Sequence, residues 1–357
     1  MRKHARIPYY PRELSMSYKN NKLVMLTSVA ALVLGATSTA QAATLDDVKQ
    51  RGVVQCGVSD GLPGFSAPND QGEWQGIDVD VCRAVAAAVF GDSEAVRYVP
   101  LNAVERFTAL QSGEVDVLSR NTTWTTTRDT TLGLNFAGVT FYDGQGFLIS
   151  SDLGISSVQE LDGAAICIQA GTTTELNVAD YFRAHEMQFD PIVFDTSEQT
   201  VGGFEAGRCD VLTSDTSQLA ALRIQLSDPS GAMILPEVIS KEPLGPVVRQ
   251  GDDQWFNIVK WSLFAMLNAE ELGISSENVD EMTNSENPNI ARLLGQDGNY
   301  GEGMGLSADW AYNIISQVGN YAEIYDRNVG LNSPLEIERG VNALWTEGGL
   351  QYAPPVR

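Results

Sequence analysis

Short apolar runs of strand length alternate along the chain with stretches in which apolar residues recur every third or fourth position. One such stretch places four apolar residues four apart and ends on a glycine: Ile77, Val81, Val85, Val89 and Gly91. The first pattern is typical of buried strands, and the second of helices with one apolar face. Their alternation predicts an α/β fold with mainly parallel sheets covered by helices.

The chain also contains an internal repeat. Residues 113–119 (GEVDVLS) match residues 207–213 (GRCDVLT) in the pattern G-x-x-D-V-L-[S/T], and in each copy the glycine ends a helical pattern. A second match pairs residues 52–56 (GVVQC) with residues 163–167 (GAAIC), each a short apolar run before a glycine-containing loop. The two copies predict two βα lobes with equivalent opening strands.

Within this repeat, Asn121 and Asp215 occupy corresponding positions, because each stands five residues beyond the aspartate of its copy. Both are expected just past the carboxyl end of a strand. Ligands of open α/β sheets bind beyond these strand ends, so the crevice between the two lobes is the expected binding site.

The last third of the chain changes character. A helix predicted from about residue 255 to residue 272 has one apolar side and is expected to pack back on the first lobe. Beyond Asn278 the chain becomes rich in glycine. This final segment either braces the lobes or reaches a partner, and the sequence leaves both alternatives open.

The first 42 residues show the order of a secretory signal peptide: six Lys or Arg, an apolar run of 12 residues (23–34) and the small-residue end AQA. Cleavage is expected before Ala43. The apolar run is shorter than the roughly 20 residues that a membrane-spanning helix needs, and a retained anchor is the alternative. The basic region is unusually long, so Met16 is a more ordinary start than Met1.

The formal net charge of the chain is −23, and removal of the basic leader makes the remainder more acidic still. Such a surface repels nucleic acid and anionic lipid and favours a soluble monomer. The sequence therefore predicts no nucleic-acid partner.

Four cysteines, an even number in an exported chain, indicate disulfides rather than a metal site or a catalytic thiol: Cys56, Cys82, Cys167 and Cys209. The first two fall in the first copy of the repeat and the last two in the second. We therefore expect the pairs Cys56–Cys82 and Cys167–Cys209, one in each lobe, although three pairings are possible.

Outside the leader the chain has one histidine, His185, whose helical and acidic surroundings argue against a histidine zinc site or a serine–histidine relay. Asp78 and Asp80 are spaced as in a metal-binding D-x-D. However, they open a predicted helix, where acidic residues are favoured. No metal and no cofactor are expected.

Arg128 stands near the end of a polar segment, residues 120–129 (RNTTWTTTRD), that leaves the first repeated strand. A guanidinium offers a fixed fork of donors that matches a carboxylate, and threonine hydroxyls can complete its hydrogen bonds. A plain exposed loop is the alternative, but the position after a strand end favours ligand binding.

Residues 169–175 (QAGTTTE) lead from a predicted strand end directly into a helix. The free amides of a helix start suit an anion such as a carboxylate, whereas a capping box between Thr172 and Glu175 would explain the segment without a ligand. Asp215 supplies a partner for a cation. An arginine, a helix start and a carboxylate around one cleft describe a site for a zwitterion.

These segments resemble the periplasmic solute-binding proteins of polar amino acid ABC transporters. The greatest similarity is to the general L-amino acid-binding branch, which includes glutamate/glutamine/aspartate/asparagine-binding members. The resemblance covers essentially the whole chain after the leader. It is carried by LPGF (62–65), GIDVDVCRAVA (76–86), LQSGEVDVLSRNTTW (110–124), QAGTTTEL (169–176) and GRCD (207–210).

The resemblance implies a type II periplasmic-binding-protein fold, an α/β architecture of two lobes joined by a two-strand hinge, with the ligand cleft between them. Crossovers at residues 140–147 and 235–247 would form the hinge. The expected parts are a signal peptide (1–42), the N-terminal part of lobe 1 (43–140), lobe 2 (148–235), a C-terminal return to lobe 1 (247–277) and a C-terminal extension packed on the lobes (278–357).

The resemblance also implies roles for individual residues. Arg128 and Thr173 match the groups that hold the ligand α-carboxylate, and Asp215 matches the group that holds the α-ammonium. Further members of the implied site are Asn121, Thr123 and Thr172.

Two more positions bear on the ligand side chain. Leu62 stands where relatives that bind histidine, lysine or arginine carry a stacking aromatic residue, so a long cationic ligand is not expected. Arg106 stands where glutamate- and aspartate-binding relatives place a side-chain-binding arginine, which favours acidic or amide ligands. A surface ion pair with the neighbouring Glu105 is the alternative for Arg106.

The implied function is that of a periplasmic protein that closes on a free L-amino acid and delivers it to the membrane subunits of an ABC permease, without catalysis. The alternative from another class is an arogenate/cyclohexadienyl dehydratase-like enzyme on the same fold, which would need a positioned acid or base. A sensor that docks on a chemoreceptor shares the binding step and stays open.

Overall fold

The computed structural model describes residues 43–357, so the predicted signal peptide lies outside the described residues. The strands of this part of the chain are β1 (Val54–Ser59), β2 (Ala67–Pro68), β3 (Trp74–Gln75), β4 (Val96–Leu101), β5 (Val117–Leu118), β6 (Leu134–Phe136), β7 (Phe141–Asp143), β8 (Gln145–Ser150), β9 (Ala164–Gln169), β10 (Phe189–Phe194), β11 (Val211–Asp215), β12 (Ala232–Ile234), β13 (Glu242–Leu244) and β14 (Val247–Arg249).

The α-helices of the same residues are α1 (Thr44–Arg51), α2 (Ile77–Phe90), α3 (Arg106–Ser112), α4 (Thr173–Ala184), α5 (Ser197–Glu205), α6 (Thr216–Arg223), α7 (Asp253–Glu271), α8 (Val279–Met282), α9 (Pro288–Leu293), α10 (Trp310–Gln317) and α11 (Tyr321–Asn328). Across these helices, none is both long enough and apolar enough to cross a membrane.

Lobe 1 is built on a five-stranded sheet in the order β4-β1-β5-β14-β6. Strands β4, β1 and β5 are parallel, whereas β14 runs antiparallel to both of its neighbours. Helix α2 is buried on nearly all sides, since it packs on β1 and is covered by α7 and α10. This burial explains why its apolar pattern extends beyond a single face.

Lobe 2 repeats this arrangement in a sheet with the order β10-β9-β11-β8-β12. Here β10, β9 and β11 are parallel, and β8 runs antiparallel to its two neighbours. In each sheet the antiparallel strand, β14 or β8, is the one that enters from the other lobe. The exchange of these two strands requires two crossovers between the lobes.

The crossovers form a small two-stranded hinge. Strands β7 and β13 pair antiparallel, with Asp143 opposite Glu242 and Phe141 opposite Leu244. Both acidic residues of the first pair therefore lie between the two sheets, close to the strand ends that face the cleft.

The repeated aspartates fasten the sheets in the same way. The backbone N–H of Asp116 donates to the carbonyl of Gln55, and its carboxylate accepts from the Gln55 N–H, both at 2.8 Å. Asp210 makes the same reciprocal pair with Ala165, at 2.8 and 3.1 Å. Each aspartate thus ties the loop before β5 or β11 to the first strand of its lobe.

This register corrects the predicted match between the opening strands by one residue. Cys56 corresponds to Ile166 and not to Cys167. Since successive side chains of a strand point to opposite faces, the two cysteines lie on opposite faces of their sheets. The expected disulfides are nevertheless confirmed: Cys56 is bonded to Cys82 on α2, and Cys167 to Cys209.

Replacing Cys167 and Cys209 together with serine should lower the free energy of unfolding by about 4 kcal/mol. The bond joins residues 42 positions apart and so restricts the unfolded chain. Urea denaturation of the ligand-free protein measures the loss. The same change at Cys56 and Cys82, 26 positions apart, should cost slightly less. Equal denaturation midpoints for the variant and the unsubstituted protein would contradict the prediction.

The C-terminal extension lies on lobe 1 and reaches the hinge. Helices α10 and α11 pack against α2 and α7. The Tyr321 hydroxyl donates to the carbonyl of Thr140 at 2.7 Å. The Asn342 amide accepts from the Tyr142 N–H at 2.7 Å and donates to its carbonyl at 3.0 Å. Of the two alternatives left open by the sequence, these contacts favour a brace.

Candidate functional site

A cavity that is partly open to solvent lies between the carboxyl-terminal ends of the two parallel strand sets. Lobe 1 contributes Arg106, Arg120, Asn121 and Thr123 to its lining. Lobe 2 contributes Gln169, Thr172, Thr173, Thr174, Ser214, Asp215 and Gln218. Both lobes therefore contribute polar and charged side chains to one cavity.

Most of the residues expected from the sequence meet at this cavity. Those in its lining are Arg106, Asn121, Thr123, Thr172, Thr173 and Asp215. Arg128 is not among the lining residues, but its Nη1 donates to the carbonyl of the lining residue Thr123 at 2.8 Å. Leu62 is the exception, because it is packed in the apolar core of lobe 1 and pairs with Ser66. Leu62 is not among the residues of the cavity lining, and its position beside the ligand side chain stays a prediction.

Arg106 is a buried cavity residue rather than a surface one. Its side chain is only 3% exposed and makes two long hydrogen bonds of 3.4 Å, to the Thr122 hydroxyl and the Gly171 carbonyl. Its Nε has no partner among residues 43–357. Burial, and then the nearby Arg128 and Arg120, hold the pKa of Arg106 well below its usual range. The alternative of a surface ion pair with Glu105 is wrong.

Arg128 is oriented by a π-helical turn, Thr127–Thr131, in which it is buried. Its guanidinium stacks on the ring of Phe107, 5.1 Å from the ring centre, while Nη1 is held by the main chain. Burial lowers the pKa of Arg128 to about 10, against the opposing effects of Glu242 and Asp215. The group stays charged at neutral pH and is fixed in direction.

Asp215 is the last residue of β11 and immediately precedes α6. It is 6% exposed, and within the described chain no hydrogen bond to its carboxylate is found. Its pKa is held well above that of an ordinary aspartate, first by burial and then by Asp143 and Glu242, whereas Arg128 and Arg106 oppose the shift. A cation placed beside this carboxylate would relieve its unpaired burial.

The start of α4 faces the same cavity without a side-chain cap. The Thr172 hydroxyl donates back to the carbonyl of Gln169 at 2.7 Å, so the capping box with Glu175 is wrong. The Thr173 hydroxyl donates to Glu242 Oε2 at 3.0 Å. The amides of the first helical turn are thus left for an anion.

The lobes touch across the cavity. Asn121 adopts a positive φ of 30°, and its side-chain amide donates to Gln218 Oε1 at 3.0 Å. The hydroxyls of Thr123 and Thr173 lie 3.4 Å apart. Each contact joins lobe 1 to lobe 2, so the structure shows the closed arrangement of the two lobes.

Sequence reasoning missed several polar residues of the lining: Arg120, Gln169, Thr174, Ser214 and Gln218. Arg120 directly precedes Asn121 in the repeat, and its Nε donates to the carbonyl of Leu101 at 2.8 Å. Its position beside Asn121 was the available signal. The polar side chain of Ser214, its counterpart before Asp215, carries no comparable signal.

The acidic pair of the D-x-D motif has structural partners. Asp78 accepts the Asn121 N–H at 2.8 Å, and Asp80 accepts from Arg327 at 2.8 Å and from Asn328 at 2.6 Å. Over residues 43–357 no group of three or more His, Cys, Asp or Glu side chains is arranged to hold a metal ion. Burial raises the pKa of Asp78 to about 6.

Two α/β lobes of one topology, joined by two short strands and closed around a cavity with opposite charges, define the class of two-lobed solute-binding proteins. Residues 54–277 match the family model of bacterial extracellular solute-binding proteins, family 3. The chain belongs to this family.

Three similar proteins cover nearly the whole chain. The general L-amino acid-binding periplasmic protein AapJ of Rhizobium johnstonii is 59% identical over 341 residues, which are 95% of this chain and 100% of the relative. The glutamate/glutamine/aspartate/asparagine-binding protein BztA of Rhodobacter capsulatus is 53% identical over 331 residues, 92% and 97% of the two chains.

The third is a solved structure, an ABC transporter/periplasmic binding protein from Brucella ovis with glutathione bound. It has a TM-score of 0.87 and 58% identity, and the match covers 88% of this chain and 100% of that chain. The type II periplasmic-binding-protein fold expected from the sequence is confirmed.

Proposed function

We propose that this protein is the extracytoplasmic substrate-binding component of an amino acid ABC transporter and that it closes on a free L-amino acid. The observation that carries the proposal is the arrangement of Arg128, the uncapped start of α4 and Asp215 at one cavity between the lobes. A free amino acid brings a carboxylate and an ammonium, which complement these groups.

In the proposed complex the α-carboxylate lies between the Arg128 guanidinium and the first-turn amides of α4, and the α-ammonium lies against Asp215. Thr123 and Asn121 complete the lobe 1 side, and Thr172 and Thr173 the lobe 2 side. Ligand contacts to both lobes exist together only in the closed arrangement, so the ligand stabilises closure.

The buried Arg106 and Arg120 favour an acidic or amide side chain, because both can donate to an oxygen in the cavity. The names of AapJ and BztA support a general or an acidic/amide range. Glutathione, bound in the Brucella ovis relative, carries a free α-ammonium and α-carboxylate on its glutamyl end, which fits the same zwitterion site.

We further propose that residues 1–42 direct export and are removed, and that the monomeric protein delivers its ligand in the periplasm to the membrane subunits of an ABC permease. Membership of an extracellular binding family supports this location. Calorimetric titration of refolded, ligand-free protein with L-glutamate, L-glutamine, L-aspartate, L-asparagine, L-alanine and L-leucine tests the binding step. Absence of heat with all six would overturn the proposal.

One observation favours the enzymatic alternative, since a buried carboxylate with a raised pKa such as Asp215 is also the property of a general acid. His185, the other candidate for proton transfer, is exposed and contacts the carbonyl of Tyr181. We expect no turnover when purified protein is incubated with arogenate or prephenate. Product formation would establish the dehydratase instead.

Replacing Arg106 with alanine should weaken L-glutamate and L-aspartate about 10- to 100-fold, whereas L-alanine should change less than about threefold. Only the acidic ligands lose a charged hydrogen bond. Isothermal calorimetry measures the affinities for the acidic ligands and for L-alanine. Replacement of the exposed Arg97 with alanine is the control for loss of a positive charge. Equal losses for acidic and aliphatic ligands would show that Arg106 does not read the side chain.

Amino acid affinity should fall on acidification, starting at a higher pH than an ordinary aspartate would give. In the ligand-free protein the pKa of Asp215 is raised by burial, Asp143 and Glu242, with Arg128 and Arg106 opposing. The ligand ammonium lowers that pKa, so ligand binding releases a proton. The affinity therefore rises with pH and levels off once the pH exceeds the pKa of Asp215 in the ligand-free protein. Calorimetry in two buffers of different ionisation enthalpy measures the released proton. Proton uptake would contradict this sign.

A further inference from the structure

The hinge strand β13 holds the ligand loop of lobe 1 through its backbone. The N–H of Trp124 donates to the carbonyl of Pro243 at 2.8 Å, and the N–H of Gly245 donates to the carbonyl of Thr122 at 3.1 Å. Thr123, which lines the cavity between these two bonds, forms a bridge with Leu244. The loop cannot move away from β13 without breaking this short ladder.

The same strand reaches the ligand helix of lobe 2 through one side chain. Glu242 is 2% exposed, and its Oε2 accepts from the Thr173 hydroxyl at 3.0 Å. Its Oε1 accepts from the Asn177 amide at 2.6 Å and from the Ser240 hydroxyl at 2.7 Å. Thr173 and Asn177 lie one turn apart on α4, so the Glu242 carboxylate binds both ends of the first turn of that helix.

The contact also determines which atoms of Thr173 face a ligand. A threonine hydroxyl has one proton, and an ionised carboxylate only accepts. The Thr173 proton is therefore directed to Glu242, and its oxygen can accept from the Thr123 hydroxyl 3.4 Å away. At the start of α4, the donors left for a ligand carboxylate are the backbone amides.

We propose that Glu242 is a positioning residue that holds the start of α4 next to the lobe 1 ligand loop. In this position Arg128 and the α4 amides can bind the same ligand α-carboxylate. Three consecutive residues of β13 would then join both halves of the carboxylate site. The inference rests on the proposed amino acid binding and adds to it a hinge residue that does not touch the ligand.

A purely structural hinge acid is the competing explanation. Asp143, opposite Glu242 in the hinge, accepts from the Thr216 hydroxyl at 2.5 Å and from the Ser217 N–H at 3.2 Å, and so caps α6. If Glu242 served only to stabilise the hinge, its loss would lower the melting temperature without acting through Thr173. The two explanations differ in their coupling to Thr173.

The test uses Glu242→Gln, because the amide keeps the shape but cannot accept from the Thr173 hydroxyl and from Asn177 and Ser240 at once. We expect at least a tenfold loss of affinity for whichever of L-glutamate, L-glutamine, L-aspartate and L-asparagine binds the unsubstituted protein most tightly. The control is Asp116→Asn, a buried acid that fastens β1 far from the cavity. Asp116→Asn should change the affinity less than about twofold, while lowering the melting temperature about as much as Glu242→Gln does.

A double-variant cycle then separates positioning from stability. Thr173→Val removes the hydroxyl, so the combined Glu242→Gln/Thr173→Val variant should bind no more weakly than the weaker single variant. Additive losses, or unchanged affinity of Glu242→Gln, would overturn the inference while the unsubstituted protein still binds. If none of the four ligands binds the unsubstituted protein, this result contradicts the proposed function and also the inference that rests on it.

Discussion

Replacing Asp215 with asparagine is expected to weaken amino acid binding by about 3 to 5 kcal/mol, roughly 100- to 4,000-fold in Kd. Asparagine keeps the shape of the side chain but removes its charge. The ligand ammonium would then be buried near Arg106 and Arg128 without its own counter-ion. Calorimetric titration with the tightest ligand of the unsubstituted protein measures the loss.

The repeat supplies a matched control for this experiment. Asp210 stands five residues before Asp215 and uses its carboxylate to accept the Ala165 N–H, on the exposed side of lobe 2. Asp210→Asn should leave affinity within about twofold. If Asp215→Asn also keeps its affinity within about twofold, Asp215 does not bind the ligand ammonium.

The same substitution should also change the pH dependence of binding. Without a titrating carboxylate at position 215, the proton released on ligand binding near the raised pKa disappears. Residual proton release in the variant would show that another buried acid contributes, either Asp143 or Asp78, since burial raises the pKa of both.

The general architecture could be predicted because it is repeated in the sequence. Two copies of G-x-x-D-V-L-[S/T] revealed two similar lobes, and position within the copies identified Asn121 and Asp215 as equivalent. In the structure Asn121 lies just beyond β5 and Asp215 is the last residue of β11, and these two strands lie in the same place in their sheets. The aspartate of each copy makes the same pair of hydrogen bonds to the first strand of its lobe, one through its backbone N–H and one through its carboxylate.

The prediction was less accurate where similar residues serve different local structures. The paired cysteines suggested a register that is one residue wrong, because a disulfide can form on either face of a strand. Thr172 and Glu175 have the spacing of a capping box, yet the Thr172 hydroxyl finds the Gln169 carbonyl instead.

The contacts of the hinge acids could not be predicted from the sequence for another reason. Glu242 lies 69 positions from Thr173, and no local pattern connects the two. The contact exists because the folded chain brings β13 next to the start of α4. Long-range polar contacts of this kind depend on the folded chain, whereas strand and helix patterns depend on neighbours in sequence.

Replacing Arg128 with alanine is the second change with a large expected effect, a loss of about 2 to 5 kcal/mol or roughly 30- to 4,000-fold in Kd. The α-carboxylate would keep the amides of α4 but lose the guanidinium that Phe107 and the Thr123 carbonyl hold in place. Arg128→Lys retains the charge but lacks the fork of donors. Its affinity should therefore lie between those of the unsubstituted protein and Arg128→Ala.

The α-carboxamide of the same amino acid separates a lost carboxylate contact from a disturbed loop. This analogue has no carboxylate for Arg128 to bind, so the unsubstituted protein and Arg128→Ala should differ much less in their affinity for it. An equal loss for the acid and the amide would show that Arg128 acts by supporting Thr123 and not by binding the ligand. Arg128 binds the Thr123 carbonyl and is not itself among the residues of the cavity lining, so this comparison decides between direct contact and support.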